Sequence, residues 1–545
     1  MALHIPGLVA VVVFYALILI TGIWATKKSK KEEKKCVGER SEVSMLGGRN
    51  LGIWLGIFTT TATSVGGGYI LGTAELVYLP SKGFLWATGP IGYTISLILG
   101  GFFFAGPMRV KKYVTVIDPF QKKFGNIVSS ILVLPLVMSD IFWAACILGA
   151  LGGTMKVILD IKSQYSILLS SIVAICYTLL GGLYSVVYTD VIQLIFIFFT
   201  LWLCIPYILI NPAVTNIWYT ATHEVYQAPW IGFLELEDAG IWLDEFFVTC
   251  FGGLCCQPFY QRVLASSSVK HAKIMCLVSG IFCLSLGIPP MLIGAMAAST
   301  DWNQTSHGLP TPFHNGDGKN ILPLMLEHLC PTYVSIIGIG AVAAAVMSSV
   351  DSALLSSSSM FANNIYKNII RKKASDQEVL WAIRAAILVF GIIAMSLAMA
   401  SSSIYELWFL SLDLLFSLVF AQLVCVLFIP VSNGYGAIAG LIMQLTMRLG
   451  GGDSALHIPP FICYPGCLIK HNSYVQSFPF KTLSVAVTLL TIVIVSSLAS
   501  LLFRRGLLPV RWDIYNLQIN SRNRNQEEPA EEICLGNSET EGKEN

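Results

Sequence analysis

Ser348 and Ser349 place two hydroxyl oxygens side by side in Ala345-Val346-Met347-Ser348-Ser349-Val350-Asp351-Ser352, within a run apolar enough to lie in a bilayer. Hard cations such as sodium take several oxygen ligands. In secondary transporters these come from hydroxyls on one membrane helix facing unwound backbone carbonyls on another. Ala345, one turn before Ser349, offers a further carbonyl, and the facing carbonyls would come from Ala62 and Val65. A serine pair can equally bond back to its preceding turn or let helices pack closely, so the pair alone decides nothing.

Three acids stand where acids are expensive. An intramembrane carboxylate costs about 2.5 to 3.5 kcal/mol on insertion scales and faces a cavity or a partner. Asp140 and Asp351 are functional candidates on that ground, whereas Asp190, at the start of an apolar run, reads equally as an interface residue or a helix cap. Aromatic residues crowd the same segments: Tyr69, Trp86, Tyr93, Phe142, Trp143, Phe259, Tyr260 and Trp408. Rings around a cavity attract quaternary ammonium through their negative faces, although most rings in membrane helices pack or anchor at the interfaces. Glu235, Glu237, Asp238, Asp244 and Glu245 would make the mouth of such a cavity negative; a solvated acidic loop would look the same.

The elements that must hold these groups are interrupted. Gly66-Gly67-Gly68 follows Thr59 to Val65 in an apolar run, and each glycine disfavours helix by roughly 1 kcal/mol relative to alanine. Lipid supplies no water to the released backbone groups, so such a break survives only against protein or a wet cavity. A second break is expected at Gly252-Gly253-Leu254-Cys255-Cys256-Gln257-Pro258, where Pro258 removes a donor inside the helix. Interrupted segments at matching places in two halves point to a substrate and ion site near the midplane.

With 55% hydrophobic and 12% charged residues over 545 positions, and a mean hydropathy of +0.69, the chain is too apolar for a soluble domain. Thirteen runs are long enough to cross about 30 Å of hydrocarbon, beginning near residues 4, 49, 84, 126, 163, 188, 240, 275, 332, 378, 404, 434 and 482. The basic stretches 27–35, 109–123, 262–273, 367–373 and 504–505 fall on one side of this threading, which predicts an outer N-terminus and a cytoplasmic C-terminus. The sequon at Asn303 then lies outside, open to glycosylation. Residues 1–510 form the membrane domain, and 511–545 read as a disordered cytoplasmic tail. Most of the 14 cysteines lie in apolar runs as small core residues, and only Cys463 and Cys467 suggest a disulfide. A net charge of +2 gives no reason to expect a nucleic-acid partner, and no phosphate-binding loop suggests ATP. No nucleophile, base and orienter fall together as an enzyme would need.

Taken together, these motifs resemble the sodium/solute symporter family, and within it the choline transporters. The most specific stretches are Thr61 to Glu75, Phe142-Trp143-Ala144-Ala145, Gly181 to Val186, Gln261-Arg262-Val263-Leu264 and Asp301 to Thr305. The resemblance implies an all-α LeuT-type core of two inverted five-helix repeats, about 49–210 and 238–430. It implies sodium-coupled, chloride-dependent uptake of choline across the plasma membrane, including synaptic and vesicle membranes, for acetylcholine synthesis. Carried over by position, sodium would sit on Ala62, Val65, Ala345, Ser348 and Ser349, with Asp190 and Asp351 at a second sodium. Choline would sit among Ser64, Tyr93, Trp143, Cys256 and Trp408. The chain departs from the choline transporters at Ser64 and Cys256, where tryptophan is usual. A symporter of another small organic solute and a membrane ligand sensor are the alternatives.

Overall fold

The computed structural model describes residues 45–515, apart from 160–161, 181–182, 402, 454–457 and 471–472, together with isolated positions before 45. The first apolar run at 4–26, the basic stretch 27–35, Gly181, Gly182 and the tail beyond 515 lie outside the described residues, apart from isolated positions in the first two. Residues 510–515 are not loose: Tyr515 packs on Tyr435 with ring centroids 4.9 Å apart, and the Ile514 amide donates to the Tyr435 hydroxyl.

The first expected break is present. Helices α1 (Ile53–Ser64) and α2 (Gly67–Tyr78) are separated by Val65 and Gly66, both outside helical geometry. Gly66, Gly67 and Gly68 each face a different neighbour, and that explains a glycine triplet better than flexibility does. A Cβ on Gly66 would collide with the Ser349 hydroxyl, one on Gly67 would press on Val346 and Ala150, and one on Gly68 would stand 2.5 Å from the Cys146 sulfur and 3.0 Å from Trp408. Gly68→Ala is accordingly expected to destabilise the chain by about 1 to 3 kcal/mol through overpacking. The fall shows in the unfolding temperature of the purified protein, and an unchanged temperature would mean that the slot has slack.

After α2 come α3 (Gly89–Leu99), α4 (Asp118–Leu159, kinked at Gly125), α5 (Ser163–Leu180) and α6 (Leu183–Ile210). The second half repeats the opening: α7 (Ala239–Gly252) and α8 (Gln257–Ala265) meet at 43° across a short 3-10 turn. The sequence expectation put Pro258 at this break. Instead the chain turns extended at Cys256, and Pro258 sits in the first turn of α8, where its missing N–H is not needed. There follow α9 (Val269–Ala298), α10 (Thr332–Met360), α11 (Asp376–Ala400), α12 (Ile404–Leu415), α13 (Ala421–Phe428), α14 (Gly434–Gly450) and α15 (Phe480–Arg504).

Among the described residues eight helical stretches are long and apolar enough to cross a membrane, or nine if the bent pair α7–α8 counts as one. The other expected spans correspond to the broken pair α1–α2, to α5 and to the 17-residue α14. Among the described residues the architecture is helical but for one antiparallel hairpin, Cys467–Lys470 with Ser473–Gln476, which the sequence did not announce. Beside it, the Cys463 and Cys467 sulfurs lie 3.0 Å apart as free thiols.

Candidate functional site

Between the two breaks lies a cavity enclosing about 550 Å³ of atom-free space, counting its mouth. Its wall is built from α1 (Thr60, Thr63, Ser64), α3 (Tyr93, Ser96), α4 (Asp140, Trp143), the second break (Cys256), α8 (Phe259, Arg262) and α12 (Ser411). Asp140 and Trp143 are three apart on α4, so one helical face presents a carboxylate and an indole together. The Ser356 hydroxyl on α10 donates to Asp140 and fixes it there.

Four of the five positions expected around a substrate are on this wall: Ser64, Tyr93, Trp143 and Cys256. Trp408 is not. Its indole stacks on the outer face of Tyr93, with centroids 5.6 Å apart at 26°, and is buried in a slot left by Gly68 and Gly89. Tyr93 also meets Tyr69 edge-on at 6.1 Å, and Tyr405 lies 5.9 Å from Trp408. These four rings form a plug behind the cavity. Beyond it, Glu75 on α2 accepts from Ser403 and the Tyr405 amide, and the Tyr405 hydroxyl donates to Glu245.

The expected sodium ligands are divided. Ser349 packs directly against Gly66, beside the carbonyl end of α1 that carries Ala62 and Val65. The Val65 amide is bonded to the Thr61 carbonyl, leaving the later carbonyls of the turn without a backbone partner among the described bonds. Ser348 turns the other way and donates to Asp190. Ala345 lies on α10, and its side chain is outside the described residues.

Asp190 is fully buried on α6. It accepts from Thr59 on α1 and Ser348 on α10, and stands 3.5 Å from the Arg262 guanidinium on α8. Arg262 in turn donates to Ser352 (2.6 Å) and Gln261 (3.1 Å). One carboxylate therefore ties both broken helices to α10. Asp351 is not part of this knot: it accepts from Thr178 on α5 at 2.6 Å, and its second oxygen has no hydrogen-bond partner among the described residues.

Several charges read from sequence as loop residues prove structural. Arg262 belongs to the buried knot rather than to the basic connection 262–273. Lys123 donates to the carbonyls of Cys425, Val426 and Ile429, capping α13. Asp244 leaves the acidic mouth to accept from the Lys481 and Thr482 amides at the start of α15. A buried cation always needs a partner, and that was the available signal for Arg262. Thr59, its other neighbour across Asp190, carried none.

The profile of the sodium:solute symporter family matches residues 45–444. The chain belongs to this family. The symporter is 49% identical over 529 residues to high-affinity choline transporter 1 of Torpedo marmorata, an alignment spanning 96% of this chain and 91% of that one. Its identity to high affinity choline transporter 1 of Homo sapiens is 47% over 540 residues, spanning 99% and 92%. Its fold matches that of a Na+-coupled sialic acid symporter solved in a substrate-bound outward-open state, with a TM-score of 0.70 over 90% of this chain and 98% of that one, at 17% identity. The symporter is thus an integral membrane transporter, not an enzyme, and sodium is its coupling ion.

Proposed function

We propose that the symporter imports choline, or a closely related small organic cation, together with sodium across the plasma membrane. The observation that carries this reading is the make-up of the cavity wall. Arg262 is paired with Asp190 behind the wall, and Asp140 is the acid that lines the space beside the rings of Trp143 and Tyr93. A carboxylate with aromatic faces attracts a quaternary ammonium by both charge and cation-π contact. The names of the nearly full-length relatives support the same substrate. In cells that make acetylcholine, such uptake would supply its precursor.

Ser64 and Cys256 stand on this wall where the choline transporters usually carry tryptophan. Each cation-π contact is worth about 0.5 to 2 kcal/mol, so the pocket is expected to hold choline less tightly than a complete cage would. Four serines on the wall, Ser64, Ser96, Ser139 and Ser411, also favour a second reading, a hydroxylated neutral solute on the same scaffold. Binding of labelled choline to the purified symporter, in competition with neutral polyols, separates the two. Displacement by polyols but not by amines would favour the second.

Sodium is assigned to the carbonyl end of α1, at Ala62 and Val65, with Ser349 and the Ala345 carbonyl opposite. Ser348 joins once it leaves Asp190, and that exchange would couple the ion to the Asp190 knot. Asp190 is the candidate for a second sodium, and Asp351 stands apart from it. Ser349→Ala removes an oxygen without adding bulk, so the sodium concentration for half-maximal transport should rise by roughly tenfold, with surface expression little changed. A half-saturation equal to the wild type would remove Ser349 from the site. For chloride the structure offers less: the buried guanidiniums of Arg262 and Arg448 both face carboxylates, Asp190 for one and Asp413 with Asp453 for the other. Neither has a charge left for an anion.

The thirteen-span threading remains the reading of topology, with two inverted repeats beginning at α1 and α7, an outer N-terminus and a cytoplasmic C-terminus. It sets the cavity on the cytoplasmic side of the ring plug, the arrangement of a carrier closed to the outside. Asn303, exposed in a 3-10 turn, would then be glycosylated. Asn303→Gln should shift the expressed protein to the mass seen after glycosidase treatment. A wild-type mass insensitive to glycosidase would count against the orientation.

A further inference from the structure

The loop between α14 and α15 folds back on itself over Cys463-Tyr464-Pro465-Gly466-Cys467. The Cys467 amide donates to the Tyr464 carbonyl at 3.1 Å, and Gly466, the third residue of this four-residue turn, has φ at +80°. Proline in the second position and a glycine in the left-handed region in the third are what a type II turn favours. The turn brings side chains four residues apart face to face: the Cys467 thiol donates to the Cys463 sulfur across 3.0 Å. Cys463 is exposed and Cys467 half-buried, whereas most of the other described cysteines are buried among the helices.

The turn is held from both sides. The Tyr464 amide donates to the Gln476 side chain at 3.1 Å, and Gln476 donates to the carbonyls of Ile462 (2.9 Å) and Gly451 (3.1 Å). The Tyr464 ring stacks on Phe480 at the start of α15, with centroids 5.5 Å apart at 18°. The next two residues of α15, Lys481 and Thr482, give their amides to Asp244 on α7. On the same side, a Cβ on Gly240 of α7 would collide with the Ser477 carbonyl, so the loop lies directly on the start of that helix. The two thiols therefore sit in a fixed outer cover over one arm of the second break, and neither has to search for the other.

We propose that Cys463 and Cys467 are a modification site, oxidised to an intrachain disulfide on the outer face of the symporter. A disulfide is about 2.05 Å long, so the sulfurs have to close by only about 1 Å. The inference rests on the threading that puts this loop outside, where thiols are oxidised, and is independent of which solute is carried. The step is thiol–disulfide exchange with a carrier disulfide of the secretory pathway. The Cys463 thiolate attacks one carrier sulfur, which opens the carrier disulfide and leaves a mixed disulfide and one carrier thiolate; the Cys467 thiolate then attacks the Cys463 sulfur and releases the second. The cysteines lose two electrons, the carrier gains them, and the two thiol protons pass to the carrier thiolates. The bond closes a ring around the turn and takes from the loop the freedom to swing Tyr464 off Phe480.

The test uses the full-length symporter on intact cells, a membrane-impermeant maleimide, and mass spectrometry of the peptide carrying residues 463–467. Without reductant both cysteines should stay unlabelled, and the peptide should be lighter than its dithiol form by two hydrogens. After mild reduction Cys463, the exposed thiol, should go from background to near-complete labelling. Cys467→Ser should leave Cys463 open to the reagent with no reductant at all. Should that variant fail to reach the surface, the wild type before and after reduction decides. A dithiol peptide labelled on intact cells without reductant would overturn the proposal. A loop on the cytoplasmic side would give a different failure: labelling without reductant, but only once the cells are permeabilised, which would overturn the threading along with the bond.

Discussion

Asp190→Ala is expected to destabilise the symporter by about 3 to 5 kcal/mol and to leave no measurable uptake. The carboxylate is fully buried, and its removal strands the Arg262 guanidinium in the interior while Thr59 and Ser348 lose their acceptor. A buried charge deprived of its partner costs far more than the pair is worth, because the desolvation of the survivor is no longer offset. Removing both charges, as Asp190→Asn with Arg262→Gln, should therefore recover much of the folded protein that Asp190→Ala loses. It should not recover transport, because the knot is what joins α1, α6, α8 and α10. Unfolding temperature and surface abundance read the first effect and uptake reads the second. Wild-type abundance and uptake in Asp190→Ala would show that the knot carries neither stability nor coupling.

Asp140→Asn is expected to raise the choline concentration for half-maximal transport by one to two orders of magnitude. Two unit charges about 4 Å apart interact by about 4 kcal/mol at an effective dielectric constant near 20. Half of that, lost on neutralisation, is already about thirtyfold. Asparagine keeps the shape and can still accept from Ser356, so the fold and the sodium dependence should survive. The uncharged carbon isostere of choline, 3,3-dimethylbutanol, provides the control, since its weaker binding owes nothing to the charge and should be the same in both proteins. An equal loss for choline and isostere would indicate that the substitution merely distorts the wall. No loss for choline would move the cation away from Asp140.

Much of this site can be read from the sequence because a membrane exaggerates local chemistry. Glycine triplets, paired hydroxyls and isolated acids are all costly in lipid, so the break at Val65–Gly66, the pairing of Ser349 with that break and the lining role of Asp140 all left a trace. What the sequence could not convey was direction. Ser348 and Ser349 are neighbours, yet one faces Asp190 and the other Gly66, because successive helical side chains diverge by about 100°. Trp408 is aromatic and near the cavity, but the slot between Gly68 and Gly89 draws its indole behind Tyr93. Arg262 and Asp244 looked like loop charges because each lies at the end of an apolar run; only the partner across the fold shows that they are buried. Similarly, Pro258 marked the second break correctly to within two residues but not its cause, which is the extended backbone at Cys256.

Sodium-coupled choline transport is tested most directly by uptake of labelled choline into cells expressing the symporter, with external sodium replaced by a bulky inert cation. Saturable uptake above that of untransfected cells should appear with sodium, vanish without it, and be restored in Ser349→Ala only at higher sodium. Surface-expressed symporter that takes up no choline, or takes it up equally in the absence of sodium, would contradict the account.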